Sequence, residues 1–552
     1  MSEKDWLATC RDTVLALDLD PGCLEVLEAF RDRGGTANDA PLDFAQLETR
    51  ACMFAPNLAK RIASTLDGEV DLDQAEMFSR RYLALVDLMS QLAESIGEAR
   101  VLRVGAAQRM EEILSAPSPR ALRVRALVDF YTSHAALLHH HQRLADVEPP
   151  SIEGVVATIR WNEAVPGLEH AKLTGESELG PLHINLLRSA KPRLQALDCR
   201  RMARGAGRDF VQQVVRADAM AAISGGFFLY SEQDIEPPSR RTDPVGLLLQ
   251  DGEVLSPPVF HRATLAQDDA DGITVRRSGL AGTTITWRDG GETTIATSNA
   301  ISHLGTHPVA FNRAWGDDSP DHGGTSVAIV GHRVIATRRG ALPIPLAGFV
   351  LALPPHQGKR HAHTPGAKLS YTLPPSPSGH RQHNAVAGGP MLVSDGRACI
   401  DLRGEDFVGT APPATFSGDE TFDHNLLPRM AVGIDKEDRL VMAAIDGRNF
   451  HKAPGFTLGA TARLMQALGC VEAMNLDGGS SKRMVLRGKV LDLPTTELLS
   501  SPDSDQDLED APIRPVHSAM LLYYRTEKEA LPDDAASEAE PAEPAEPADG
   551  EE

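Results

Sequence analysis

Two apolar runs, 428–435 and 440–448, are separated only by Lys436-Glu437-Asp438-Arg439, with the turn at 436–438. A connection that short joins antiparallel strands, because parallel ones need a crossover of a dozen or more residues. The chain therefore contains an antiparallel pair, whatever else it builds. Each strand brings polar groups to one end: Arg429 on the first, Asp446 and Arg448 on the second. The turn centres near Glu437, eight positions from Arg429 and nine from Asp446. Arg429 and Asp446 are thus expected to face each other at one sheet end. An ordinary cross-strand ion pair there would contribute about 0.2–1 kcal/mol.

The next segment, 454–489, reads as helix, buried strand, polar loop and second strand. Thr457 suits the helix N-cap and Gly469 its end. Leu458, Leu464, Met465 and Leu468 fall near helical spacing. Residues 471–476 are too short and too apolar for a surface strand. They run into Asp477-Gly478-Gly479-Ser480-Ser481. A carboxylate, two glycines and two hydroxyls at a buried strand end can offer charge and backbone N–H groups to a ligand. Asp-Gly is equally a common hairpin signal, so both readings stand on the loop alone.

Elsewhere the chain divides by pattern. Residues 1–148 read as a helical bundle: Phe78, Tyr82, Leu85, Met89, Leu92 and Ile96 make one apolar face, and Ser118-Pro119 opens another helix. Glu148-Pro149-Pro150 marks a boundary. Beyond it come short β-like runs, including Leu182 to Leu187, and a helix expected over 210–222 leads into Ile223-Ser224-Gly225-Gly226-Phe227-Phe228. Paired glycines there let backbone approach a ligand or another strand. Residues 245–353 are hairpin-rich, with Arg288-Asp289-Gly290-Gly291 a clear turn. Residues 354–384, rich in Pro, His and Gly, read as a long loop. A last strand is expected over 516–524. The segment 526–552 carries eleven acidic residues against one lysine, with Glu-Ala-Pro repeats that cannot bury a core.

Composition narrows the classes. The net charge is −22, nearly half of it in that tail, and an acidic body lacks the basic footprint of nucleic-acid binding. No run approaches the length of a membrane span. The opening residues lack a basic stretch followed by an apolar one, so a cytoplasmic location is expected. The six cysteines form no CxxC and are expected as free thiols. His139-His140-His141 and the pair His361 and His363 invite a metal reading. Adjacent helical histidines point in different directions, and the loop pair has no nearby carboxylate or cysteine; the first reads better as a polar helix end, the second as a solvated connection or a substrate-covering loop.

In order along the chain stand Ile223-Ser224-Gly225-Gly226-Phe227-Phe228, Gly388-Gly389-Pro390, Pro428-Arg429-Met430-Ala431-Val432-Gly433, Ile445-Asp446-Gly447-Arg448 and Asn475-Leu476-Asp477-Gly478-Gly479-Ser480-Ser481. This set resembles the phosphodiester glycosidase family over roughly residues 155–525. The resemblance implies a mixed α/β (α+β) domain, preceded here by the all-α region. Pattern and composition divide the chain into 1–148, 152–525 and a disordered acidic tail, 526–552. The resemblance also implies hydrolysis of a small-molecule or glycan sugar-1-phosphodiester at the anomeric carbon. Asp477 and Asp446 would be the catalytic carboxylates. Arg429, Arg448, Asn475, Gly478, Gly479, Ser480, Ser224, Gly225 and Gly389 would bind substrate. No cofactor is called for, a structural divalent cation is left open, and the helical region offers a surface for a protein partner. Four positions depart from the family pattern: Ser224 stands for Asn, Met430 for Thr, Ala460 for Glu and Ser480 for Gly. Lys482 also follows Ser481 where small residues are common. These departures give a second reading, a phosphoglycan- or anion-binding module without turnover.

Overall fold

The computed structural model describes residues 150–177, 180–200, 208–229, 243–357, 361–407, 426–448, 452–493 and 516–524. The helical bundle expected over 1–148, its histidine run and the acidic tail lie outside these residues. The described part is mostly β-sheet, with α-helices only at Ile152–Val156, Arg208–Arg216 and Leu458–Ala467. Within the expected α+β domain, the described helices are few and the sheets are predominantly antiparallel. The helix expected to reach Ala222 stops at Arg216, and Ala221–Ser224 is already a strand with every residue buried. The segment 354–384 is not one long loop, since it holds the strand Leu369–Thr372 and the start of Gln382–Ala387.

The predicted hairpin lies inside the largest sheet. Arg439–Ile445 pairs with Gly180–Ala190 on one side and with Arg429–Asp435 on the other. Arg429–Asp435 pairs in turn with Cys470–Asn475, which pairs with Met391–Ser394. All of these pairings are antiparallel. Strands buried on both faces read as continuous apolar runs, and these do. One face carries Met430, Val432, Met442, Ala444 and Met474 into a core shared with Ile223, Met484 and Met520 of a second, five-stranded sheet. The opposite face, with Ala431, Val441, Ala443 and Ile445, packs beneath the Leu458–Ala467 helix.

That helix starts and stops where its sequence dictates. Thr457 Oγ1 accepts the Ala460 amide at 3.0 Å, a cap contributing about 1 kcal/mol. Gly469, at φ +89°, lets the chain reverse into the Cys470–Asn475 strand. Cys199, Cys399 and Cys470 are free thiols, and burial pushes Cys470 up to about 12, which keeps it inert.

Turn geometry fixes the hairpin register. Asp435 Oδ1 accepts the amides of Glu437 and Arg439, and Asp438 takes a left-handed conformation at φ +57°. This three-residue loop pairs Arg429 with Ile445 and not with Asp446. A one-residue difference in register moves a side chain to the other face of the sheet. Arg429 therefore lies on the helix face with Ile445, where its Nε donates to the Phe456 carbonyl at 2.9 Å. The expected Arg429–Asp446 juxtaposition does not form.

Candidate active site

Four segments from elsewhere in the chain meet the 475–483 loop. The Asp477 amide donates to the Gly225 carbonyl at 3.1 Å, and the Gly479 amide to Pro428 at 2.9 Å. The Leu476 amide donates to Met430 at 2.8 Å, and the Gly389 amide to Asn475 at 2.7 Å. Ser224 Oγ accepts the Arg483 amide at 3.0 Å. The crossings are tight. A Cβ on Gly447 would meet the Pro428 nitrogen at 2.5 Å, and one on Gly226 would meet the Ala387 carbonyl oxygen at 1.8 Å. Only glycine lets these backbones approach so closely. The motif glycines thus serve strand-to-strand contact, one of the two uses the sequence left open.

Asp446 follows directly from the Arg439–Ile445 strand and is buried. Its amide donates to the His183 carbonyl at 3.0 Å. His183 Nδ1 lies 2.5 Å from Oδ2 and carries the proton there, since a carboxylate only accepts. Lys482 Nζ donates to Oδ1, and the Leu493 amide reaches the same carboxylate at 3.1 Å. Lys482 Nζ also donates to Asp492 Oδ2 at 2.9 Å, as does Arg483 Nη1 at 2.8 Å. The Met484 amide donates to Asp492 Oδ1 at 2.6 Å. Burial pushes the Asp492 carboxyl up. The Lys482 and Arg483 charges, with the Met484 amide, outweigh that and hold it below the usual carboxylate range. Two carboxylates and two cations thus share one dry volume. That balance is what makes their burial tolerable.

The remaining predicted residues are distributed as follows. Asp477 is 7% exposed, at the start of the loop. Ser480 is buried within the short 3₁₀ turn Gly479–Ser481. Arg448 is buried at φ +57°, its amide donating to Pro454 at 3.1 Å. Asn475 Nδ2 donates to the Gly389 and Leu476 carbonyls, at 3.0 and 2.8 Å, and so fixes the 388–390 turn. The proposed cradle of backbone N–H groups is corrected in part. Gly479 and Gly389 spend their amides on Pro428 and Asn475, and Gly225 donates to Ser518 at 2.8 Å. These amides stitch strands together instead of facing a ligand. Two departures are also explained by packing: Met430 lies in the core between the sheets, and Ala460 lies on the helix itself, on the side buried against the sheet.

His183, Lys482, Arg483 and Asp492 were missed as members of this network. A signal existed. Lysine and arginine are almost never fully buried unless paired, yet Lys482-Arg483 opens directly into the apolar Met484–Leu486 strand. That placement requires buried carboxylates nearby.

Residues 323–523 match the family model described as phosphodiester glycosidase. The match includes every segment of the set except Ile223 to Phe228. A search of curated proteins finds no match. Among solved structures, the chain is similar to a hypothetical protein from Synechocystis, at 21% identity and a TM-score of 0.42, covering 66% of this chain and 64% of that one. The chain thus spans less than two thirds of that structure's own length. It is also similar to the catalytic domain of zebrafish N-acetylglucosamine-1-phosphodiester alpha-N-acetylglucosaminidase, auto-inhibited by its pro-peptide. There the identity is 13% and the TM-score 0.34, with coverage of 68% of this chain and 87% of that one.

Proposed function

With residues 323–523 matching the phosphodiester glycosidase family, we propose that this protein hydrolyses a glycosyl-1-phosphodiester, with Asp477 acting at the anomeric carbon. The observation that carries this reading is the convergence of four other family-like segments on the 475–483 loop. In the reaction the bond between the anomeric carbon and the phosphate oxygen breaks. Water supplies the hydroxyl to that carbon, and its proton ends on the phosphomonoester. An oxocarbenium-like transition state wants an adjacent carboxylate, and Asp477 is the less enclosed of the two candidates. Both oxygens of Asp446 are engaged by His183, Lys482 and the Leu493 amide, so we assign it a positioning role. Arg429 and Arg448 supply the positive charge that suits a phosphodiester anion. We take 152–525 as the unit that carries the activity and 1–148 as a separate unit that can hold a protein partner. Incubation with a panel of GlcNAc-1-phosphodiesters, read by mass spectrometry, should release free sugar. Asp477→Asn should reduce that release on the order of a hundredfold or more. Folded wild-type protein that releases sugar from no member of the panel would sink this reading.

Two observations favour a second reading. Lys482 neutralises Asp446, and Ala460 takes the place of a carboxylate in the family pattern. On that reading the chain binds phosphoglycans without turning them over. Saturable binding of a panel member, with no sugar released, would select it.

A further inference from the structure

A cleft of about 550 Å³ opens beside the hairpin formed by Arg262–Asp268 and Ile273–Ser278, and none of its lining residues belongs to the 475–483 loop. It has the size of a small-molecule site. The charges at its wall and directly behind it divide into two groups. The first group is balanced. Glu405, buried, accepts Arg277 Nε at 2.9 Å and the Met391 amide at 2.8 Å on Oε1, and the Ala263 amide at 2.9 Å on Oε2. Asp406 Oδ2 accepts the His261 amide at 2.9 Å and Asn312 Nδ2 at 3.0 Å. The fully buried Arg262 feels both carboxylates. Two cations, Arg262 and Arg277, thus offset Glu405 and Asp406.

The second group is not balanced. Arg276 and Arg403 also line the cleft, and neither meets a carboxylate among the described residues. Arg276 is half-buried and reaches only the Pro375 carbonyl, at 3.5 Å, through Nη2. Burial holds its guanidinium below the ordinary value, with no acid opposing the shift. Ser298 lines the same cleft with a buried hydroxyl that has no hydrogen-bond partner among the described residues. Leu280, Pro258 and Leu373 supply apolar surface.

We propose that this cleft binds a sugar phosphate as its dianion, with Arg276 and Arg403 meeting the phosphate and Ser298 a sugar hydroxyl. Two uncompensated guanidiniums match a doubly charged ligand better than a carboxylate, and planar donor pairs suit phosphate oxygens. An apolar wall beside a lone hydroxyl suits the faces and edges of a sugar ring. The site is separate from the hydrolytic one and does not depend on the reading given for it.

Isothermal titration of the full chain with glucose 6-phosphate tests this. Saturable binding, displaced by inorganic phosphate and absent for glucose, is expected. Arg276→Ala and Arg403→Ala should each weaken it on the order of tenfold. Arg403 is exposed and donates no hydrogen bond among the described residues, so its variant keeps the fold. Asp477→Asn should leave the titration unchanged. The proposal falls if wild type does not bind, if glucuronate binds as tightly, or if both arginine variants bind like wild type. It also falls if Asp477→Asn abolishes the binding, which would place the ligand at the 475–483 loop.

Discussion

The buried cluster around Lys482 and the cleft around Arg276 use the same residue types to opposite ends. In the cluster, Asp446 and Asp492 face Lys482 and Arg483, and almost no water reaches any of them. In the cleft, Arg262 and Arg277 already answer Glu405 and Asp406, so Arg276 and Arg403 are surplus. A closed set of charges fixes geometry, because losing any member leaves an unpaired ion in a low-dielectric interior. Surplus charge at an open wall stabilises nothing internal and is free to act on a ligand. Stability should therefore be concentrated in the first region, and anion affinity in the second.

The largest expected effect is on the cluster. Lys482→Ala leaves Asp446 and Asp492 with Arg483 as the remaining buried cation, and should cost about 3–5 kcal/mol. Urea denaturation followed by circular dichroism would measure it. A loss below about 1 kcal/mol would mean that water or a rearranged Arg483 already serves the two carboxylates, and the contrast with the cleft would collapse.

A smaller effect follows from Asp492. Its carboxyl is held below the usual range in the folded state, through Lys482, Arg483 and the Met484 amide acting against burial. A depressed pKa contributes stability that is present above the unfolded value of about 3.9 and lost as pH falls through the folded value. Wild-type stability should therefore decline on acidification below about pH 4. Asp492→Asn keeps the shape but removes the titrating group. It should be less stable at pH 7 and lose less between pH 5 and pH 3. Denaturation midpoints at pH 7, 5 and 3 would show converging curves, whereas parallel ones would remove Asp492 from the acid response.

The two regions also differ in how far the sequence discloses them. The hairpin, the Thr457 cap, the Gly469 stop and the strand before Asp477 are local, and local rules found them. Asp446 was legible as a strand-end carboxylate, but its partners were not. His183 lies 263 positions away, and the register that would have paired Asp446 with Arg429 is off by one. A turn conformation at Asp438 decides that register, and spacing alone does not reveal it. The Gly225, Gly389 and Gly479 motifs were legible as special positions. Whether their amides faced a ligand or a neighbouring strand depended on which sheets met there. The cleft was invisible for a related reason. Arg276 and Arg403 are far apart in sequence, and their surplus appears only once Glu405 and Asp406 are seen to be satisfied by others.

The smallest stability effect should come from the cleft, and it tests the contrast from the other side. Arg403 is exposed and its guanidinium makes no described contact with an acid. Removing it as Arg403→Ala takes away only a solvated charge, so the denaturation midpoint should move by less than about 0.5 kcal/mol. It should even rise slightly at low salt, because a surplus cation repels Arg276 across the same wall. Screening would erase that gain in high salt. Midpoints in low and high sodium chloride measure this directly. A loss of about 2 kcal/mol or more would show Arg403 engaged in an internal pair, and the cleft would then be a second balanced cluster with no charge left over for a ligand.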